Sequence, residues 1–366
     1  MRKQPAPVDE FMTTPAAKLE TPVPVYFVRY IYGHHAARGG YHHFSEHLGE
    51  VVSISPAMRL LGETVLRLPG KFLSWYGGQF EYSRHDYVME LQTMLHMSRR
   101  RDCLYHITNG EKSYRLLAGR QGYRGHRIIA TLHHPREHFE WLFRSTAHFR
   151  KLDHALVVST SQIEWVEELV GPGKVSFVPC GIDTDYFTPE TAAADKPFRC
   201  VFLGTHMRDL DTMQNIIRLV NDARPDIEFV LMSLNRGCAR LADGKRVRWL
   251  RQIPDDEYLR QIQSADLLVL PLKGSTLVSS VLESLACGLP VLTTRGGISD
   301  YLDDDCSLQF AAGDADGMAE AVLALAKDDA RRQRMAQASR RRALQFTWPI
   351  VSAKMLEAYQ KIMAAT

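Results

Sequence analysis

One acidic residue, Glu283, stands inside the stretch STLVSSVLESLACGLPVLTTRGG, Ser275 to Gly297, between a Ser/Thr-rich loop and an apolar run that closes on a glycine pair. The preceding ADLLVLPL, Ala265 to Leu272, reads as a buried strand, so the local order is strand, small-residue loop, helix. Backbone N–H groups around Thr276, Leu277 and Val278 then point at an anion, and the hydroxyls of Ser275 and Thr276 add donors. Glu283, a turn or so later, accepts hydrogen bonds from a ribose diol, as acidic residues do in dinucleotide-binding folds. A phosphate-cradling loop followed by a sugar-binding carboxylate makes one nucleoside-diphosphate site.

Three further stretches put reactive types just after apolar runs. FLGTHMRDLD, Phe202 to Asp211, places Gly204 and His206 in a short loop and Arg208 near a helix start. There Arg208 combines a fixed charge with the field of a helix N-terminus and suits a diphosphate; the competing reading is a surface arginine paired with Asp209 or Asp211. Lys273 is the alternative cation. TLHHP, Thr131 to Pro135, carries His133 and His134 to the end of a strand, where they serve either the core or the transferred sugar. GHHAARGGYHHFSEH, Gly33 to His47, holds the pair Gly39 and Gly40, which lets backbone approach a phosphate or sugar. Its histidines are sequence neighbours rather than spaced by four with a carboxylate, so no metal site is expected.

These residues need elements to hold them. With 366 residues the chain is too long for one ordinary core, and two domains are expected. Hydrophobic residues make up 45% and charged residues 24%, a globular balance, and no run approaches the length of a membrane span. The first 22 residues, rich in Pro and Thr, read as a poorly ordered arm without the apolar core of a signal peptide. Six scattered cysteines without a Cys-x-x-Cys pair argue for reduced thiols in a cytoplasm, and against a zinc site or disulfide frame.

Net charge is only +3, but SRRRD, Ser98 to Asp102, and RRQRMAQASRRR, Arg331 to Arg342, concentrate positive charge. Such runs are either solvated helix faces or attract an anionic membrane surface or acidic substrate. Neither has the interleaved aromatics of a nucleic-acid module, and no nucleic-acid partner is expected.

Short β-branched runs alternate with longer amphipathic segments, the pattern of parallel βαβ units. Strands are expected at 23–30, 50–55, 103–108, 127–133, 155–160 and 174–179, then at 198–204, 227–233, 247–250, 265–272 and 290–294. Pro, Gly and Asp cluster in PCGIDTDYFTPE, Pro179 to Glu190, which marks the joint. The expected organisation is an arm over 1–22, a Rossmann-like acceptor domain over 23–180, a Rossmann-like donor domain over 181–345, and a terminal helix over 346–366. Facing sheets of this type bind ligands at the carboxyl ends of their strands.

ESLACGLPVLTTRGG with the preceding ADLLVLPL resembles the donor-site signature of the retaining family-4 glycosyltransferases, which have the GT-B fold. KVSFVPCGIDTDYFTPE is similar to that family's interdomain segment, with Cys180 where asparagine is usual, so that Asp183 and Asp185 are turn residues rather than a metal motif. FTWPIVSAKMLEAYQKI resembles the helix that crosses back onto the N-terminal domain. Two departures stand out: Ser275 occupies the place of the first of two glutamates, and Thr205 that of a basic residue.

The resemblance implies an enzyme moving a sugar from a nucleoside-diphosphate sugar, such as a UDP- or GDP-sugar, to a glycan, lipid-linked or small-molecule acceptor hydroxyl. Retention, front-face attack, no metal and no separate cofactor go with it. Arg208, Lys273 and the amides of 276–278 would take the charge of the leaving diphosphate, while Glu283 grips the ribose. Two other readings share the architecture: a sugar-nucleotide 2-epimerase, and a nucleotide-sugar binding subunit without transfer activity, the latter motivated by Ser275.

Overall fold

The computed structural model describes residues 18–29, 41–64, 82–190 and 196–364. Among these, the residues up to Gly181 together with those from Trp348 onward form one compact unit, and Ile182–Thr347 forms the other. The Gly39–Gly40 pair and the His34–His35 pair lie outside the described residues.

The first unit is built on strands β1 (Val25–Val28), β2 (Glu50–Val51), β3 (Leu104–Ile107), β4 (Arg127–Leu132), β5 (His154–Val157) and β6 (Val175–Phe177). They form a parallel sheet in the order β2-β1-β3-β4-β5-β6. β3 is buried at every position, as a strand covered on both faces must be. The expected strand at 50–55 pairs over only two residues, because Ser55 leaves the sheet to cap the helix Pro56–Glu63. The helix Arg84–Ser98 starts at a capping box in which Ser83 and Asp86 satisfy each other's orphan N–H groups. Its buried Glu90 accepts from the Tyr82 hydroxyl and from the backbone of Arg115 and Leu117, and so ties two loops to one carboxylate.

The C-terminal helix Trp348–Ala364 packs into this first unit. Gly181 lies flat against the Trp348 ring, where a Cβ would come within 2.6 Å of Cδ2. Eleven residues further on, the Tyr359 hydroxyl sits 2.6 Å from Nδ1 of His106 on β3. The other nitrogen of that histidine meets Thr131 on β4 at 2.7 Å. A buried imidazole is thereby satisfied on both sides, and burial holds it neutral, its pKa down at about 3.

The second unit carries β7 (Arg199–Leu203), β8 (Glu228–Met232), β9 (Val247–Leu250), β10 (Leu267–Leu270), β11 (Val291–Thr294) and β12 (Ser307–Phe310). Its parallel order is β12-β11-β10-β7-β8-β9. β12 was not among the expected strands: Ser307 to Phe310 alternates polar and apolar residues in a span too short to register on its own. Chain order reverses between β7 and β10, the point at which doubly wound sheets open a crevice for ligands.

The basic run 331–342 lies on the helix Asp329–Ala343, and part of it turns inward. Arg340 donates to the carbonyls of Thr184, Phe187 and Ala286, and Arg342 to those of Asp300 and Tyr301. Those two guanidiniums hold loops together rather than facing a partner; Arg334 and Arg341 are exposed. Among the described residues no helix is long and apolar enough to cross a membrane. All six cysteines are buried.

Candidate functional site

The switch point of the second unit is where the chemistry-bearing residues meet. Two loops leave it, 204–209 after β7 and 271–278 after β10. They are zipped together: Asp209 N–H donates to Pro271 O at 3.0 Å, Lys273 N–H to Met207 O at 2.9 Å, and Arg208 bridges Leu272 in antiparallel sense. Gly204 and Met207 both adopt positive φ, +86° and +56°, and the latter is a conformation that costs a non-glycine residue energy. On its far side the 271–278 loop is pinned to the glycine pair of the opening stretch. Ser275 O accepts from Gly297 N–H at 3.1 Å and Ser275 Oγ from Ile298 N–H at 3.3 Å, while Thr294 Oγ1 accepts from Leu272 N–H at 2.9 Å.

Val278 then caps the helix Ser279–Ala286, with no acidic residue in its first turn and no side chain bonded across its cap. Thr276 and Val278 are buried, Ser275 and Leu277 half-buried, and Lys273 exposed. Among the described residues the Lys273 ammonium makes no ion pair or hydrogen bond. His206 is also exposed, and its carbonyl accepts from Arg208.

Arg208 is not the surface arginine of the simpler sequence reading, because Asp209 instead caps the helix Leu210–Ala223 and Asp211 pairs with Arg240. Its guanidinium folds back across Gly204. Nε donates to Leu203 O at 2.7 Å, one terminal nitrogen to His206 O at 2.7 Å, and the other to Ser280 Oγ at 3.2 Å. Burial lowers its pKa to about 10, against the favourable fields of Tyr258 and Glu283.

Glu283 is 5% exposed on the helix that opens from this loop. Its Oε2 accepts from the Tyr258 hydroxyl at 2.6 Å; its Oε1 accepts no hydrogen bond among the described residues. Burial raises the carboxyl to about 7, opposed by the Tyr258 hydrogen bond and the charge of Arg208, with Asp255 adding to the rise. A buried carboxylate with one oxygen satisfied has capacity for an incoming donor.

In the first unit, His133 and His134 follow β4. His133 Nε2 lies 2.6 Å from Thr108 O and therefore carries the proton. The backbone N–H groups of His133 and His134 both converge on Oε1 of the buried Glu111. The His134 carbonyl accepts from Gln162, and its ring lies 4.4 Å from that of His138.

Sequence reasoning missed Tyr258, Ser280 and Glu111. Glu111 follows the carboxyl end of β3 in Asn109–Gly110–Glu111, a position that could have drawn attention. Tyr258 lies mid-helix in DDEYLRQIQ and carries no local signal.

Residues 197–328 match the family described as Glycosyl transferases group 1. An alpha-maltose-1-phosphate synthase of Mycobacterium tuberculosis is 28% identical over 230 residues, 53% of this chain and 58% of that protein. A phosphatidyl-myo-inositol mannosyltransferase of Mycolicibacterium smegmatis is 25% identical over 230 residues, 59% of each. The chain thus spans somewhat over half the length of these relatives. Among solved structures, HepE of Anabaena in complex with UDP-glucose aligns with a TM-score of 0.66 at 13% identity, over 93% of this chain and all of that one. Sucrose-phosphate synthase of Thermosynechococcus elongatus aligns at 0.65 and 17% identity, over 93% and 89%. The match to Glycosyl transferases group 1 thus covers residues 197–328, and the chain has the GT-B fold.

Proposed function

We propose that the protein is a glycosyltransferase that moves a sugar from a nucleoside-diphosphate sugar to an acceptor hydroxyl. The observation that carries this reading is Glu283: a buried carboxylate at a doubly wound switch point, one oxygen held by Tyr258 and the other left to accept, on the helix that follows a small-residue loop. A ribose diol supplies the missing donors. The diphosphate then lies toward the amides of Thr276, Leu277 and Val278 and the first turn of the helix. Lys273 offers an ammonium that makes no ion pair or hydrogen bond among the described residues; Arg208 organises the adjoining 204–209 loop and adds its field.

Breaking the bond between sugar and diphosphate builds negative charge on the departing oxygens. Preorganised amides and fixed cations lower that barrier without reorganising at the moment of reaction. In this reading no metal is invoked, Gly204 and His206 line the donor side, and Ser275 acts through the 296–298 loop. His133 and His134 are the proposed contacts of the transferred sugar, and Gly39 and Gly40 are the pair proposed to leave room for the acceptor. Retention with front-face attack follows from the motif resemblance, and the anomeric proton of the product, followed by NMR, tests it.

The principal experiment is calorimetric titration of wild type and Glu283→Ala with UDP, GDP and ADP. Wild type is expected to bind at least one of them, and the variant to bind it about tenfold more weakly or worse, ~1.4 kcal/mol. Equal affinities in the two proteins overturn the assignment of Glu283. One observation favours a second reading, a binding subunit without transfer activity: Ser275 stands where the family has its first glutamate, and its hydroxyl oxygen accepts from Ile298 N–H. Donor binding with neither hydrolysis nor transfer across an acceptor panel would establish that reading instead.

A further inference from the structure

We propose that Tyr258 is the positioning residue of Glu283: its hydroxyl holds Oε2 so that Oε1 is presented to the nucleotide, and nucleoside-diphosphate binding is thereby tied to the ionisation of this one carboxyl. The inference rests on the reading above that Glu283 receives a ribose.

Tyr258 belongs to the helix Asp255–Gln263, which precedes β10, whereas Glu283 belongs to the helix that follows it. The two side chains meet across 25 positions, although β10 lies between their helices in the sequence. At 2.6 Å the bond is short, as expected of a hydroxyl donating to a carboxylate. Among the described residues Tyr258 is also the only group hydrogen-bonded to that carboxyl. Arg208 is held by Leu203, His206 and Ser280, so it acts on Glu283 through its charge alone.

The groups facing the carboxyl are few. Tyr258 and Asp255 come from the preceding helix, and Arg208 from the loop after β7. Cys287 at the end of its own helix is a thiol pushed up to about 12 by burial and then by Glu283, and Arg340 of the helix Asp329–Ala343 faces that thiol. Of these, Tyr258 and Arg208 favour the ionised carboxylate, while burial and Asp255 oppose it. The Tyr258 hydroxyl stays protonated, because burial and then Glu283 itself raise its pKa well above the ordinary value. It is therefore a permanent donor across the neutral range. Removing it takes away the hydrogen bond that, among the described residues, fixes the carboxylate's orientation, and with it one of the two groups that keep it charged.

The test is the pH dependence of binding, measured by calorimetry from pH 6 to pH 9 with whichever of UDP, GDP and ADP binds the wild type. Affinity in the wild type should rise with pH through an inflection near 7, matching the raised carboxyl. In Tyr258→Phe the inflection should move to higher pH, with binding about tenfold weaker at pH 7 and the loss shrinking toward pH 9. Glu283→Gln should abolish the inflection. A purely structural role for Tyr258 predicts a loss of equal size at every pH, and that result, or an unchanged profile, overturns the inference while leaving nucleotide binding intact. If Tyr258→Phe does not fold, 3,5-difluorotyrosine placed at position 258 keeps the shape with a stronger donor, and should move the inflection downward; a profile that stays put again overturns it. Absence of binding by wild type to all three nucleotides overturns the donor reading and this inference together.

Discussion

The guanidinium of Arg208 lies directly over the Cα of Gly204, in the space that a Cβ at that position would fill. Three hydrogen bonds fix it there, to Leu203, His206 and Ser280, so the loop after β7 is closed around a charged side chain donated from its own end. The glycine also holds φ at +86°, where a side chain is strained for backbone reasons alone. Gly204→Ala is therefore expected to lower stability by about 1–3 kcal/mol. It should also weaken nucleotide binding, because Arg208 must leave its seat. Thermal unfolding and calorimetry read the two effects separately.

Ser275 pins the other loop, 271–278, which follows β10. Its hydroxyl accepts from Ile298 N–H, and its carbonyl from Gly297 N–H. Ser275→Ala should cost about 1 kcal/mol, the worth of one lost hydrogen bond. Ser275→Glu, which restores the glutamate of the related motif, should cost more, since Gly296 approaches Ser275 Oγ so closely that an added Cβ there would stand only 2.9 Å from it. Comparing urea midpoints of the two variants checks the order.

The C-terminal helix should be needed for the first unit to hold together. Tyr359→Phe leaves Nδ1 of the buried His106 without its partner and is expected to cost about 1–3 kcal/mol. Gly181→Ala sets a Cβ against the Trp348 ring and should loosen the same packing. Both variants are expected to speed proteolysis within the segments before Gly181. Equal cleavage rates in variant and wild type would show that the helix is only loosely associated.

Stability should respond to pH with two opposite signs. His106 is a base whose pKa falls from 6.5 to about 3 on folding, so the unfolded chain takes up its proton first as pH falls. Its contribution is complete above pH 6.5 and is lost on acidification, at up to about 1.4 kcal/mol per pH unit. Glu283 is an acid raised from 4.5 to about 7, so its contribution is present below pH 4.5 and lost as pH rises through 7. Glu283→Gln should accordingly gain stability relative to wild type between pH 5 and pH 8. Denaturant titrations at both pH values measure that difference, and a difference independent of pH would mean that the carboxyl keeps its ordinary pKa.

The alternation of strands and helices was legible because fully covered parallel strands appear as unbroken apolar runs, and eleven of the twelve stood out. Ser307–Phe310 did not, since four residues of mixed polarity become a strand only by pairing with Val291–Thr294. The candidate residues of the donor loop could be named from local order alone: a strand, small residues, then Glu283 on a helix.

What the sequence by itself determined was the succession of elements and the placing of Glu283, Ser275 and Lys273 just beyond one strand end, because periodicity and small-residue loops are local properties. Only the tertiary structure decided which side chains answer them. Tyr258 reaches Glu283 across 25 positions, Ser280 meets Arg208 across 72, and Tyr359 meets His106 across 253. Such pairs depend on strand order and on which helix covers which strand. A buried polar group must find its donor wherever the crossovers bring one, and nothing in the spacing of the chain encodes that meeting.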